Sequence, residues 1–246
     1  MNLFSRTELL IGRSGMEKLK RARVAVFGIG GVGGYAVEAL VRSGVGKLEL
    51  VDNDKVSPTN VNRQIIALSD TLGRYKTEAA AERARAINPE CEVTCRNCFF
   101  TSETAGTFDF SDYDYVIDAI DTLAGKIAIV KACREAGTPV VSCMGAGNKL
   151  DPTAFEVTDI YKTSVCPLAR AMRKLCRENG IEKLKVVYSK ELPVSAADSE
   201  RAAREEGAYK PRVPGSIAFV PSVTGLIAAG EAIKEISGVY GNGIGS

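Results

Sequence analysis

The sequence predicts an α/β fold built on a doubly wound, mostly parallel sheet, and three observations carry that expectation. A strand, a glycine-rich turn and a helix follow one another over residues 23–42, and strand and helix patterns then alternate as far as residue 143. The first strand, moreover, reads as a buried one, with alternating apolar residues ending at glycine.

The elements follow in order. Residues 23–28 (RVAVFG) form the first strand, residues 31–42 a helix, and residues 47–52 (KLELVD) a second strand. A βαβ unit of roughly 30 residues requires a right-handed crossover between parallel strands. An alanine-rich helix over 71–88 stops before Pro89, and strands follow near 92–98 and over 113–119. A helix near 123–136 leads to a strand at 139–143. Beyond Gly145 the pattern loosens into a C-terminal extension. It carries strands at 154–158 and 184–188, a helix at 167–179, a polar segment at 191–215 expected to be a mobile loop, a short strand at 217–220 and a last helix at 221–237. The chain is expected to be one unit over 1–246, with a nucleotide-binding half at 1–145 and a substrate-facing half at 146–246.

Composition narrows the chemistry. The chain has 246 residues, 45% hydrophobic content and a net charge of +2, so no acidic or basic partner follows from overall charge. No stretch approaches the roughly 18 apolar residues of a membrane span, and the N-terminus lacks a secretory pattern. A cytoplasmic protein without a membrane partner is expected. The seven cysteines form no disulfide or zinc pattern, since Cys95 and Cys98 make a single C-x-x-C on an expected strand. There is no histidine, which excludes Ser-His-Asp and Cys-His catalysis and histidine-bound metals.

Gly28-Ile-Gly30-Gly31-Val-Gly33 matches G-x-G-x-x-G in the setting that gives the motif meaning, after a strand and opening a helix. Gly28 serves the tight turn, Gly30 the approach of phosphate to backbone, and Gly33 the close packing of helix on strand; Asp52 ends the next strand, where an acidic side chain meets ribose hydroxyls. This is a Rossmann-like nucleotide site, and a nicotinamide-binding oxidoreductase is one reading of it. The residues downstream favour a triphosphate. Asn60-Val-Asn62-Arg63-Gln64, then Lys76, concentrate donors after the second strand. Asp118 and Asp121 end the fourth strand, so they should converge with Asp52 at the carboxyl ends of the strands. Arg and Lys would neutralise a leaving pyrophosphate while a carboxylate holds Mg²⁺. Asp121 is favoured as the metal ligand; Asp118 is either a second ligand or a helix cap.

Together these residues resemble the ubiquitin-activating-type (ThiF/MoeB/HesA-like) adenylating superfamily. The match runs in order through the glycine loop, Asp52-Asn-Asp54, Asn60, Asn62-Arg63-Gln64, Lys76, Ile87-Asn88-Pro89 and Asp118-x-x-Asp121. The resemblance implies ATP and Mg²⁺ as cofactors, Asp52 on the ribose, Asn60, Arg63 and Lys76 on the phosphates, and Asp121 on Mg²⁺. It also implies a homodimer in which Arg6 reaches the partner's ATP site. Asp54, Gly31 and Gln64 fall within the same cofactor-binding set. Over the whole chain, including Asp151-Pro-Thr, Lys162-Thr163 and Phe219-Val-Pro221, the sequence is more similar to the tRNA threonylcarbamoyladenosine dehydratases. By that resemblance the reaction is a ligase-like, ATP-dependent cyclisation of N6-threonylcarbamoyladenosine in tRNA through an acyl-adenylate. A carrier-protein adenylating enzyme stays as the alternative, with a sulfur-relay partner left open. Against it, paired zinc-binding C-x-x-C motifs are missing, and of the second-half cysteines Cys176 reads as core and Cys166 has no assigned role.

One feature points to RNA independently. Residues 161–190 carry eight Lys or Arg against two Glu, a local charge of +6 that leaves −4 for the rest. On the helix opened by Pro167, Leu168, Ala171, Met172, Leu175 and Cys176 share one face, and Arg170, Arg173, Lys174 and Arg177 the other. Such a face suits a phosphate backbone without reading sequence.

Overall fold

Among the described residues seven strands form one sheet, in the order Glu92–Arg96, Lys47–Val51, Arg23–Phe27, Tyr115–Asp118, Val140–Cys143, Lys185–Ser189 and Phe155–Asp159. The computed structural model describes residues 3–194, 200, 204–205 and 213–239. The strands are β1 (Arg23–Phe27), β2 (Lys47–Val51), β3 (Glu92–Arg96), β4 (Tyr115–Asp118), β5 (Val140–Cys143), β6 (Phe155–Asp159) and β7 (Lys185–Ser189). All neighbours pair parallel except β6, which closes the edge antiparallel to β7. The expected doubly wound, mostly parallel sheet is therefore the observed one. It runs without a break from the first half of the chain into the second, through the pairing of β5 with β7.

The helices with both ends among the described residues are α1 (Ser5–Arg21), α2 (Gly33–Arg42), α3 (Lys76–Ile87), α4 (Leu123–Ala136), α5 (Pro167–Glu178) and α6 (Pro221–Ser237). One layer holds α1, α2, α3 and α6, and its core gathers Leu19, Val26, Leu40, Leu50, Ile117 and Ala228. The other layer holds α4 and α5 over Ile129, Val130, Met172 and Cys176. Four phenylalanine rings, Phe27, Phe100, Phe108 and Phe110, fill the space beside β1 with centroids 4.9–6.3 Å apart. Each such ring, once fully buried, contributes roughly 1.5–3 kcal/mol.

Several expected boundaries move. The alanine-rich helix starts at Lys76, not residue 71, because Gly73 takes a positive φ of 80° and Lys55 bridges to Tyr75. Residues 217–220 are a turn into α6 rather than a strand, since that segment pairs with no strand. The N-terminal segment is a helix, α1, broken by Gly12 at φ 72°. Its buried side rests on α6, where Gly15 lies against Ser237, while Leu9 and Leu10 stand in solvent at 86% and 82% exposure. Of the segment 191–215, residues 195–199, 201–203 and 206–212 lie outside the described residues. Its two described ends meet at Asn148, whose carbonyl accepts from the Val194 amide at 2.7 Å and whose side chain accepts from the Gly215 amide at 2.6 Å.

The sheet order reverses between β1 and β4. Chains that wind to opposite sides from neighbouring strands leave a crevice at their carboxyl ends.

Candidate functional site

The turn from β1 into α2 lies in that crevice, and its glycines are required by what surrounds them. Gly28 adopts φ 87°, and a β-carbon there would lie 2.7 Å from the Ala119 carbonyl oxygen. At Gly33 a β-carbon would lie 1.7 Å from the Gly28 carbonyl oxygen. Gly30 differs, because the nearest atom to its missing side chain is Gln64 Nε2 at 3.9 Å, so its backbone faces open space. In the first turn of α2 the Gly34 amide donates to the Gly30 carbonyl at 3.0 Å and the Ala36 amide to the Val32 carbonyl at 3.1 Å, and the positive end of the helix dipole faces the loop. Gly31 is flanked by Arg63 and by Pro221 of α6. One turn later the backbone of Gly225 lies so near the Val32 carbonyl that a β-carbon would come within 2.1 Å. The last helix thus backs the glycine loop directly.

Asp52, just past β2, ties its own strand to that loop. Its carboxylate accepts from the Ile29 amide at 2.6 Å and from the Asp54 amide at 2.8 Å. Burial pushes its carboxyl above the usual aspartate range, and the charge of Lys76 and the two amides act against that rise. Lys76, 6% exposed, begins α3 and pairs with Asp54 at 2.7 Å.

Between β2 and α3 a short 3₁₀ turn (Pro58–Asn60) carries the donor cluster. Asn60 is buried and its side-chain oxygen accepts from the Ser57 amide at 3.1 Å. Arg63 Nη1 donates to the Thr59 carbonyl and to Asn62 Oδ1, each at 2.9 Å, which fixes the guanidinium beside the loop. Asn62 donates in turn to the Ser216 carbonyl at 3.0 Å. Gln64 is 6% exposed, and its Oε1 has no hydrogen-bond partner among the described residues. A buried amide oxygen left this way costs free energy until a donor arrives. The Nε2 of the same amide is the atom nearest the open side of Gly30.

Asp118 departs from expectation. It ends β4 beside Phe27, but its carboxylate turns inward at 0% exposure. Lys126 Nζ, also 0% exposed, donates to both of its oxygens at 3.0 and 3.1 Å, and Ser142 Oγ donates to it as well. With those partners Asp118 is neither a metal ligand nor a helix cap; the N-cap of α4 is Thr122. Asp121 lies at the exposed end of the same turn. Among the described residues no three carboxylate or thiol groups gather, so a metal here would rest on Asp121 and on phosphate oxygens. That donor set suits Mg²⁺, which takes one or two carboxylates and completes its shell with phosphate and water.

Lys126, Ser142, Pro221 and Gly225 were not among the residues read as functional. The signal for Lys126 was present: the buried positions of α4 include Gly125, Lys126, Ile129, Val130 and Cys133, so the lysine falls on the apolar stripe.

The cysteines offer no exposed nucleophile. All seven are unpaired; Cys166 and Cys176 are buried, and burial pushes the Cys176 thiol up to about 11. Cys95 and Cys98 are likewise unpaired, with burial raising both thiols. On α5 the basic face divides. Arg170, Lys174 and Arg177 are exposed, with Lys174 near Glu178 at 3.7 Å and Arg177 over the Tyr161 ring at 5.4 Å. Arg173 is half-buried and donates to the carbonyl and hydroxyl of Thr163, so it is bound within the fold. Arg134, at the end of α4, donates to the Gly180 carbonyl just past α5 at 2.6 Å, and Lys183 stands in the loop before β7.

Comparison with known proteins agrees with this arrangement. The model of the ThiF family matches residues 4–244. A Bacillus subtilis protein named tRNA threonylcarbamoyladenosine dehydratase is 45% identical over 243 residues, covering 96% of this chain and 95% of its own. Among solved structures, the E. coli tRNA N6-threonylcarbamoyladenosine dehydratase in complex with AMP superposes with a TM-score of 0.86 at 37% identity, covering 96% of this chain and 94% of that one. The same protein in complex with ATP gives a TM-score of 0.85, covering 96% and 93%.

Proposed function

The chain belongs to the ThiF family, and on that premise we propose that it is an ATP-dependent tRNA threonylcarbamoyladenosine dehydratase. The observation that supports the reading is the packing at the switch point of the sheet, where Asp52 accepts from the Ile29 amide and Arg63 and Gln64 lie beside Gly31 and Gly30 of the glycine loop. The matching fold binds AMP and ATP in the E. coli relative.

In this reading a carboxylate oxygen of the threonyl group attacks the α-phosphorus of ATP. The bond to the bridging oxygen breaks and pyrophosphate leaves. A nitrogen or oxygen of the neighbouring carbamoyl group then attacks the activated carbonyl, the bond to AMP breaks, and the ring closes with net loss of water. No enzyme nucleophile is needed, in keeping with a chain that has no histidine and whose second-half cysteines are buried. The protein contributes position and charge. Asp52 accepts the ribose hydroxyls, the α2 N-terminus and Gly30 meet the phosphates, and Gln64 Nε2, the atom nearest Gly30, donates to a phosphate oxygen. Arg63 and Lys76 oppose the charge that builds on pyrophosphate, and Lys76 exchanges Asp54 for phosphate. Mg²⁺, held by Asp121, would supply further charge neutralisation.

The tRNA backbone is assigned to α5 through Arg170, Lys174 and Arg177, with Arg134 and Lys183 extending the basic surface. The two halves of the chain act as one adenylating unit. A second copy of the chain covers the exposed Leu9 and Leu10, and Arg6, exposed on the same helix, reaches the partner's nucleotide site. No helix among the described residues is long and apolar enough to cross a membrane, and a tRNA substrate sets the work in the cytoplasm.

The test is release of AMP and pyrophosphate from ATP and Mg²⁺ with tRNA bearing threonylcarbamoyladenosine, against unmodified transcript. Release with the modified tRNA alone, together with loss of one water from that nucleoside, is expected. ATP binding without release on either RNA would turn the reading toward a carrier protein.

A further inference from the structure

Beneath the crevice lies a buried ion pair that the reaction above does not use. Lys126 projects from the first turns of α4 into the layer beneath it. Its ammonium donates to both oxygens of Asp118 on β4, to the Cys143 carbonyl on β5 at 2.8 Å and to Ser142 Oγ at 3.3 Å. One side chain therefore ties α4 to the carboxyl ends of two central strands. Burying both charges is expensive, and an apolar pair of similar volume commonly gives equal or better stability. Stability alone is thus a weak reason for this pair to stand at these positions, and its surroundings suggest another.

Asp118 Oδ1 also accepts from the Ile120 amide at 3.3 Å, which shapes the turn that ends at Asp121. The same turn is fastened to β1, where the Ala119 amide donates to the Phe27 carbonyl at 2.8 Å. Its peptide also presses on the glycine loop: a β-carbon on Gly28 would meet the Ala119 oxygen at 2.7 Å and the Ile120 nitrogen at 2.9 Å. The turn thus carries the carboxylate assigned to Mg²⁺ at one end and supports the phosphate loop along its length. Any drift in Asp118 passes to both.

We propose that Lys126 is a positioning residue for the metal–nucleotide complex: by fixing Asp118 it sets the 118–121 turn, and through that turn the placement of Asp121 and of the Gly28 peptide. The proposal rests on the adenylation reading for its metal and nucleotide, but the link from Lys126 to the turn belongs to the protein alone. A residue that orients a ligand from behind typically governs 10- to 100-fold in metal affinity or activity.

Two variants test it, each read in two ways. In Lys126→Met the Mg²⁺ concentration for half-maximal AMP formation should rise about tenfold and kcat should fall. The KM for tRNA should stay at the wild-type value, because α5 is untouched. On the protein alone, the Ile120 amide should lose protection from hydrogen exchange. Ser142→Ala removes one contact to Asp118 at a smaller cost to folding, and should show both effects to a lesser degree. It decides the matter if Lys126→Met does not fold. Wild-type Mg²⁺ dependence and wild-type Ile120 protection in the folded variants, with only a lower melting temperature, would overturn the proposal. Failure of the wild-type protein to form AMP would instead sink the adenylation reading, and the exchange measurement would still settle whether Lys126 governs the turn.

Discussion

Lys76 and Asp54 hold each other twice, through the side chains at 2.7 Å and through the Lys76 amide and the Asp54 carbonyl at 3.0 Å. The lysine is nearly buried while the aspartate is 57% exposed on its side chain. A cation so placed can exchange an exposed carboxylate for a phosphate without moving its own stem. Lys76→Met should therefore slow AMP formation roughly 100-fold, about 2.7 kcal/mol of transition-state stabilisation. Asp54→Asn should leave kcat near wild type. Steady-state kinetics with ATP as the varied substrate checks both.

Two glycines of the loop should separate folding from binding. Gly33→Ala places a methyl group on the Gly28 carbonyl and should destabilise the protein by about 3 kcal/mol or more, the upper range for overpacking. Gly30→Ala meets nothing closer than 3.9 Å and should fold with a wild-type melting temperature while losing ATP affinity. Thermal melts beside calorimetric ATP titration distinguish them.

Asp121 stands exposed at the end of its turn, so Asp121→Ala should keep the fold and lose Mg²⁺-dependent turnover. Full activity in that variant would remove its assigned role.

Glu38 gives a pH signature away from the site. Burial alone would raise its carboxyl, but hydrogen bonds from Arg83 and Arg42 outweigh it and hold the group below its ordinary 4.5. A carboxyl lowered on folding stabilises the protein above its unfolded pKa, and that contribution disappears as pH falls through the native value. Glu38→Gln should cost about 1 kcal/mol at neutral pH and nothing once the solution is well below the native value. Urea melts across that range measure the difference.

On the basic face, Arg170→Glu with Lys174→Glu should weaken tRNA binding and flatten its salt dependence by one to two phosphate contacts, at about 0.7–0.9 log units each. Arg173→Glu should chiefly lower stability, since that guanidinium is bound to Thr163. Binding at several salt concentrations, beside melting curves, checks both.

Much of the site was legible in the chain. Gly28, Gly30 and Gly33 announce themselves because a strand, a sharp turn and a helix can follow one another so closely only without side chains. Asp52 follows from strand length, and the donors at 60–64 from their crowding. What escaped was orientation. Asp118 and Asp121 are three residues apart on one turn, and sequence spacing cannot say which faces water; that is decided by Lys126, whose charge hid its place on an apolar stripe. The Arg173 contact to Thr163 escaped for a similar reason, since a helical face gives the direction of a side chain but not the neighbour it meets. The helix α1 was missed because Gly12 and Gly15 interrupt its periodicity, although Gly15 is there to admit Ser237.

The close seat of Gly225 on Val32, with Pro221 against Gly31, has a consequence for how the protein comes into being. The glycine loop lies at residues 28–33, yet its rear wall is supplied by α6, at Pro221 and Gly225. Both segments have to leave the ribosome before the pocket can close. For the same reason the segment 1–145, for all its familiar pattern, is not a cassette that recombination could splice onto another protein with its nucleotide affinity intact.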